Sequence, residues 1–126
     1  MADKGPTERV TGIGGVFFRS RDPKALGEWY RTHLGVPVDE AGYAIIPESR
    51  NTVWSPFKAD TDYWPADKEH MVNFTVRDLD AMLAQLRAAG VEVEDQVEDL
   101  EFGRFGWAKD PEGNRIELWQ PVGPSA

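Results

Sequence analysis

The sequence VNFTVRDLDAMLAQLRAAGVEV, residues 72–93, decides the fold because it carries the signals of a strand, a helix cap, a helix and a helix stop in succession. Val72, Phe74 and Val76 occupy alternate positions, as they do in a strand that buries one face. The other face presents a mixed set of side chains, Met71, Asn73 and Thr75. This stretch therefore predicts a half-buried strand that leads directly into a helix.

Residues 78–90 have the ends and the apolar stripe of an amphipathic helix. Asp78 is placed to cap the helix N-terminus, and Gly90 suits the left-handed residue that ends a helix. Apolar side chains recur at helical spacing between these two residues, at Leu79, Met82, Leu83 and Leu86. We expect this stripe to pack against a sheet.

An earlier stretch, VFFRSRDPKALGEWYRTHLGVPV at residues 16–38, repeats the same pattern. Asp22 corresponds to Asp78, and Gly35 corresponds to Gly90. Strand, cap, helix and glycine stop follow in the same order, together with several identical residues, which chance does not readily produce. The chain is therefore predicted to consist of two related halves.

Three short strands are expected after each helix, at about 36–40, 43–47 and 51–57 in the first half and at about 91–95, 102–109 and 114–120 in the second. The turn DPEGN precedes the last of them. Module one then spans about 9–57, a polar linker 58–69 and module two about 70–121. The predicted fold class is α+β, with a strand-helix-strand-strand-strand unit present twice in a single domain.

The composition excludes several classes of protein. The chain has 126 residues, which suits one domain, and no cysteine, which removes disulfides and thiolate chemistry and fits a reducing cytoplasm. A net charge of −8 disfavours nucleic acid as a partner. No apolar run approaches the length of a membrane span, and the start MADKGPTER lacks a signal-peptide core, so we expect no membrane partner and a cytoplasmic location.

The repeated motif and the segment DPEGNRIELWQP (110–121) resemble the vicinal oxygen chelate superfamily, which includes glyoxalases, extradiol dioxygenases and bleomycin-resistance proteins. The resemblance covers about residues 10–121 and extends to FFRSRDPKALGEWYRTHLG and NFTVRDLDAMLAQLRAAGV. It implies two tandem βαβββ modules that form curled mixed sheets around a cleft. It also implies a homodimer, because short members commonly build each cleft from one half of each subunit.

The resemblance further locates the positions at which metal-using members place four ligands. In this chain these positions fall at Gly15, Met71, Glu117, and Thr52 or Val53. Glu117 alone offers a carboxylate, the ligand that hard divalent ions prefer. His70 adjoins the Met71 position, but strand alternation directs it to the opposite face. We therefore expect no cofactor, and a divalent metal held by Glu117 and His70 is the weaker alternative.

Glu117 is the candidate catalytic residue, either as a lone base or as a polar contact in an aromatic cleft; an ordinary exposed strand acid is the plain alternative. The expected ligand-binding residues are Phe17, Arg19, Trp54, Met71, Asn73, Thr75, Arg104, Trp107 and Trp119. Further candidate walls of the cleft are Phe57, Trp64 and Phe105. For the aromatic residues the competing role is core filling, and for Arg104 it is simple exposure.

Two functions from different classes are compatible with these residues. The first is a protein that binds a small, largely apolar or aromatic molecule in an aromatic-lined cleft without a catalytic metal. The alternative is an enzyme of glyoxalase, epimerase or dioxygenase type that uses Glu117 with a metal or as a base. A third possibility is an accessory interaction domain. Five tryptophans and the missing metal ligands favour the binding protein.

Overall fold

The computed structural model describes residues 16, 18–47 and 55–122. The helices and strands within these residues are, in chain order, α1 (Pro23–Leu34), β1 (Val72–Thr75), α2 (Leu79–Ala88), β2 (Glu92–Val93), β3 (Glu98–Leu100), β4 (Gly103–Lys109) and β5 (Arg115–Pro121). Neither helix of this described part combines the length and the apolar character that crossing a membrane requires.

The strands form one mixed sheet. β1 lies parallel to β5, β5 lies antiparallel to β4, and β4 lies antiparallel to both β2 and β3. The DPEGN turn closes the β4–β5 hairpin, where the Asp110 amide donates to the Asn114 carbonyl at 3.0 Å and the Gly113 amide donates to the Asp110 carbonyl at 3.1 Å. The α+β class is confirmed, with a curled mixed sheet that does not close.

Both helices begin and end where the sequence predicts. The side chains of Asp22 and Asp78 each accept a hydrogen bond from the backbone amide three residues further on, at 3.1 and 3.0 Å. Gly35 ends α1 with φ of 71°, and Gly90 follows α2 with φ of 80°, both in the left-handed region. The local capping signals were therefore sufficient to place both helices.

The apolar core lies between α2 and the sheet. Its buried members are Leu79, Leu83, Leu86, Ala108 and Leu118. Helix α2 approaches the sheet closely at Gly106. A Cβ atom at that position would lie only 3.1 Å from Leu83 Cδ1. Each fully buried leucine contributes about 1.5–3 kcal/mol by burial of apolar surface, so α2 is firmly held against the sheet.

The two faces of the sheet differ in what covers them. Gly106, Ala108 and Leu118 point towards α2, and this side is called the helix face. Because side chains alternate along a strand, the intervening residues point to the opposite side, called the open face. The strand register brings together on the open face Asn73, Thr75, Phe105, Trp107, Glu117 and Trp119.

The described residues of the first half contain less regular structure than the sequence predicts for them. The expected strands at 36–40 and 43–47 are reduced to a single antiparallel bridge between Val38 and Ala44. Residues 18–20 join no strand ladder, and most of 51–57 lies outside the described residues. The tandem arrangement of two βαβββ modules is therefore not confirmed, and the sheet is built from the second half, including β3, which the sequence analysis does not predict.

Polar contacts with the DPEGN turn hold the start of α1. The Glu112 carboxylate accepts hydrogen bonds from the Ser20 hydroxyl at 2.8 Å, the Arg21 amide at 2.9 Å and the Asp22 amide at 3.1 Å. The buried Asp110 carboxylate accepts a bond from the Tyr30 hydroxyl of α1 at 2.8 Å. The turn that joins β4 to β5 is thus also the anchor of α1.

Candidate functional site

The Glu117 carboxylate is buried on the open face, at the middle of β5, with 8% of the residue exposed. Burial of a carboxylate is costly unless donors surround it. Asn73 Nδ2 donates to Oε1 at 2.8 Å, and Trp107 Nε1 donates to Oε2 at 3.1 Å. The Tyr63 hydroxyl also donates to Oε2. The carboxylate is therefore an acceptor held by three donors.

These donors reach Glu117 by two different routes. Asn73 on β1 and Trp107 on β4 are the register partners of Glu117, so the sheet itself places them beside the carboxylate. Tyr63 lies outside the strands, in the 58–69 linker, and meets Glu117 across 54 positions of sequence. The sequence analysis missed Tyr63. The signal available was the aromatic pair in the otherwise polar segment KADTDYWPADKE.

Arg115 fixes the two aromatic donors. Its guanidinium carbon lies 5.1 Å from the Tyr63 ring centroid and 4.7 Å from the Trp107 ring centroid, a cation–π arrangement. Arg115 Nη1 also donates to the Tyr63 carbonyl oxygen. Glu94 holds the guanidinium in turn through two hydrogen bonds of 2.7 Å. Arg115 is therefore a structural clamp on Tyr63.

The charges of the site follow from these contacts. Burial, and then the hydrogen bond to Glu117, raise the pKa of the Tyr63 phenol, so that this hydroxyl is a neutral donor at physiological pH. The hydrogen bond to Glu94 is the main cause that raises the pKa of Arg115, which remains a cation. The site thus combines one carboxylate, one neutral phenol and one clamped guanidinium.

Aromatic rings surround the Tyr63 side chain. The Trp107 ring lies 6.2 Å away at 84°, and Phe57 and Trp64 lie 5.7 and 6.4 Å away. Trp107 is almost fully buried, with 1% exposed, whereas Phe57 is 49% exposed. The expected walls Trp107, Phe57 and Trp64 are therefore gathered around Tyr63.

The other expected aromatic residues lie further along the sheet or outside the described part of the chain. Phe105 and Trp119 are register partners whose rings stack at 5.7 Å with an interplanar angle of 6°. The Trp119 indole donates to the Phe102 carbonyl at 2.9 Å. Phe17 and Trp54 lie outside the described residues, so the structure gives them no place.

The expected polar contacts divide between the two faces. Asn73 is bonded to Glu117, and Thr75 is exposed on the same open face. Arg104 lies on the helix face, where it pairs with Asp80 at 3.0 Å and Asp99 at 2.8 Å. The structure therefore does not bring Arg104 to Glu117, because strand alternation directs it to the other side of the sheet.

Two further candidates lie outside the helices and strands. Arg19 is exposed in the segment that precedes α1, and Met71 is half-buried immediately before β1. His70 is exposed, and its ring contacts Phe18 edge-on at 6.0 Å. His70 is therefore engaged by the first half, not by Glu117.

Among the described residues, those around Glu117 do not form a set of metal ligands; Gly15, Thr52 and Val53 lie outside the described residues. No group of three or more His, Cys, Asp and Glu side chains that could hold an ion occurs in residues 16, 18–47 and 55–122. The two oxygens of Glu117 are engaged by O–H and N–H donors of Tyr63, Asn73 and Trp107. Met71, at the neighbouring family ligand position, offers only a thioether. The donor set is suited to hydrogen bonding.

Two depressions in the surface do not include Glu117, although Glu94, the partner of Arg115, lines the second of them. One, of about 630 Å³, is lined by residues between Glu28 and Ala41, and the other, of about 430 Å³, by residues between Glu92 and Lys109. Glu117 and Tyr63 line neither of them. The Tyr63 hydroxyl instead lies against Glu117 Oε2.

The glyoxalase-like domain family matches residues 15–119, and the chain belongs to this family. The structure is similar to the glyoxylase/bleomycin resistance protein/dioxygenase domain from Frankia sp. EAN1pec, with a TM-score of 0.59 and 17% identity over 90% of this chain and 99% of that chain. It is similar to the oxidase ChaP-H2, with a TM-score of 0.53 and 18% identity over 84% of this chain and 90% of that chain.

A more limited match is the glyoxalase family protein from Enterococcus faecalis, with 28% identity and a TM-score of 0.39 over 51% of this chain and 52% of that chain, about half the length of each. No curated protein matches this chain. The family match and the structural neighbours confirm the resemblance to the vicinal oxygen chelate superfamily.

Proposed function

We propose that this protein binds a small, largely apolar or aromatic molecule on the open face of the sheet, at Glu117, without a catalytic metal. One observation carries the proposal: a buried carboxylate held by donors from three separate segments, beside the buried ring of Trp107. Small-molecule sites commonly combine apolar and aromatic walls with a few convergent polar groups.

The chemistry of the site defines what it is able to recognise. A carboxylate accepts hydrogen bonds, so Glu117 would orient an O–H or N–H group of the bound molecule. The rings of Trp107, Phe57 and Trp64 would supply the apolar contact area. Asn73 and Thr75 are exposed on the same face and are available for additional polar contacts.

Catalysis by Glu117 as a lone base has less support than binding. A base that forms an anionic intermediate needs a donor or a cation opposite it to stabilise the developing charge. Arg115 is the cation in contact with this cluster, and Glu94 and the Tyr63 carbonyl already engage its guanidinium. We therefore place binding first and the metal-independent enzyme second.

We further propose that the protein is a cytoplasmic homodimer. Exposed apolar side chains lie on several segments, with Ile45 80% exposed, Tyr43 62% and Phe102 61%. A second copy of the chain that covers part of this surface would remove it from water. Light scattering across a concentration series tests the assembly, and a concentration-independent monomer would contradict it.

A thermal-shift screen of aromatic and alicyclic compounds tests the binding proposal. A ligand at one hundred times its Kd stabilises the folded protein by about 2.7 kcal/mol, which gives a measurable rise in Tm. We expect hits with the unmodified protein and a reduced or absent shift with Glu117→Gln, which keeps the size of the side chain. Arg104→Gln, on the helix face, is the matched control and should retain every hit.

Elemental analysis of protein purified without chelators tests the metal-free part of the proposal. We expect no stoichiometric divalent ion. A metal present at one equivalent and lost in Glu117→Gln would contradict metal-free binding. A library in which no compound raises the Tm of the unmodified protein would count against binding itself.

A further inference from the structure

The most informative contact in the molecule is the one between Tyr63 and Glu117. We propose that the Tyr63 ring is an internal occupant of the binding site, and that the true ligand is an aromatic molecule with an O–H or N–H donor, a phenol or an arylamine, that replaces it. This proposal rests on the proposed function and specifies the ligand class and the way the site opens.

The surroundings of the Tyr63 side chain are those of a bound phenol. Its hydroxyl donates to Glu117 Oε2, its ring meets Trp107 edge-on at 6.2 Å, and the Arg115 guanidinium lies 5.1 Å from its centroid. A carboxylate, an aromatic edge and a cation over the ring face are the elements that recognise a hydroxylated arene. The site is therefore already shaped around the chemistry that we propose for its ligand.

Tyr63 differs from the other residues that bond to Glu117 because it does not lie on a strand. Asn73, Trp107 and Glu117 lie on paired strands, whereas Tyr63 lies on a strap (residues 55–68) that contains no helix or strand. The Arg115 bond to the Tyr63 carbonyl is a contact that holds the backbone of the strap at this point. Departure of the Tyr63 side chain would break its contacts with Glu117, Arg115 and Trp107, and it would leave the strand pairing and the other two donors to Glu117 in place.

The far end of the strap has its own attachment, which limits the movement to the part around Tyr63. The Trp64 indole donates to the Lys68 carbonyl at 3.0 Å, and Lys68 Nζ donates to the Glu112 carbonyl at 3.1 Å. Phe57, which contacts both Tyr63 and Trp64, is half exposed. Opening thus requires the loss of a few contacts at one residue.

The ligand needs a hydrogen-bond donor because departure of Tyr63 removes one donor from Glu117 Oε2. When its hydroxyl departs, Glu117 Oε2 keeps the Trp107 bond and loses the other. An arene without a donor leaves this buried oxygen with one hydrogen bond in place of two, which is unfavourable. We therefore expect a phenol to bind about tenfold or more tightly than the corresponding hydrocarbon.

Competition by Tyr63 sets the apparent affinity. When the binding-competent state is a minor fraction of the protein, the apparent Kd is the intrinsic Kd divided by that fraction. Removal of the Tyr63 side chain makes the open state permanent. Tyr63→Ala should therefore bind the ligand more tightly than the unmodified protein, and Tyr63→Phe, which loses the hydroxyl alone, should lie between them.

The test is a titration of p-cresol and of toluene into the unmodified protein, Tyr63→Phe and Tyr63→Ala. The indole ¹H–¹⁵N cross-peak of Trp107, assigned by its absence in Trp107→Phe, reports occupancy beside Glu117. We expect p-cresol to bind Tyr63→Ala about tenfold or more tightly than the unmodified protein, and toluene to bind that variant about tenfold more weakly than p-cresol. Arg104→Gln, on the helix face and paired with Asp80, should leave all affinities unchanged.

Equal or weaker p-cresol binding in both Tyr63 variants would overturn the inference, because Tyr63 would then be a wall of the site and not its occupant. If Tyr63→Ala does not fold, Tyr63→Phe decides between these results. Aromatic compounds that shift the Trp107 signal in the unmodified protein but bind less well to the variants would leave the proposed function intact. The absence of any aromatic response in every variant would count against both.

Discussion

The two halves of the chain share a sequence pattern but are fixed in the structure by different kinds of contact. In the second half, α2 packs a buried leucine stripe against the sheet. In the first half, α1 buries Leu26 and is tied to the DPEGN turn by the polar contacts of Glu112 and by the bond between Tyr30 and Asp110. Burial of apolar side chains therefore holds α2, whereas hydrogen bonds to the DPEGN turn, here called the polar junction, contribute much of what holds α1.

This difference indicates that the halves need not open together. Proteins open locally in cooperative units, and units with few buried apolar contacts open at lower free energy. Helix α1 has one buried residue, Leu26, whereas α2 has three, Leu79, Leu83 and Leu86. We therefore expect that loss of the polar contacts of Glu112 and Asp110 would allow α1 to open while the core around α2 stays folded. The following substitutions test this expectation.

The largest effect is expected for Leu83→Ala in the core of the second half. Removal of a buried leucine side chain leaves a cavity and should lower the free energy of unfolding by about 2–5 kcal/mol. Urea denaturation followed by circular dichroism measures the change. Leu100→Ala, at a leucine that is 51% exposed, is the matched control and should change the value by less than about 0.5 kcal/mol. Similar effects for both would contradict the placement of the core.

A smaller and more local effect is expected for Tyr30→Phe. Burial, and then the bond to Asp110, raise the pKa of the Tyr30 phenol, which is a neutral donor at physiological pH. Loss of this bond should cost about 0.5–1.5 kcal/mol. Amide hydrogen exchange should quicken in α1 and change little in β4 and β5. Tyr43→Phe serves as the control, and uniform acceleration across the chain would argue against a separable first half.

The smallest effect is a change in the pH dependence of the same junction. The Arg21 amide, followed by the Ser20 hydroxyl and the Asp22 amide, lowers the pKa of Glu112 below its usual 4.5. A carboxylate whose folded-state pKa is depressed stabilises the fold fully above its unfolded pKa, and this contribution disappears as the pH falls through the folded value.

Acidification below about pH 4.5 should therefore release the start of α1. The amide signals of Arg21 and Asp22 should titrate in this range in the unmodified protein. In Glu112→Gln they should lose the titration and already resemble the released state at neutral pH. Identical titration curves in the two proteins would show that Glu112 does not carry this linkage.

The features predicted best from the sequence are the helix ends, which depend on contacts between residues close in the chain. Asp22, Asp78, Gly35 and Gly90 mark helix ends through bonds and backbone angles within a few residues, and both helices appear where these signals stand. Alternation also placed Glu117 on one face with Asn73, because the sheet keeps its register. The strands expected at 36–40 and 43–47 depend on partners, and alternation alone does not provide a partner.

The part of the site that could not be predicted is non-local. Tyr63 stands in a polar linker without periodicity, and its contact with Glu117 depends on the path of that linker across the open face. Arg104 shows the converse, since flanking glycines and aromatics suggested a ligand contact, whereas its position on β4 directs it to Asp80 on α2. Residue type indicated the chemistry in both cases, and the tertiary path decided the location.

Both proposals require that a small molecule binds beside Glu117. The most direct test follows the indole cross-peak of Trp107 while hits from the aromatic library are titrated into the unmodified protein and into Glu117→Gln. We expect a saturable shift in the unmodified protein and a Kd at least about tenfold weaker in Glu117→Gln, because the ligand loses the Glu117 carboxyl group as an acceptor. Saturable binding that leaves the Trp107 signal unmoved, or that is equally tight in both proteins, would contradict it.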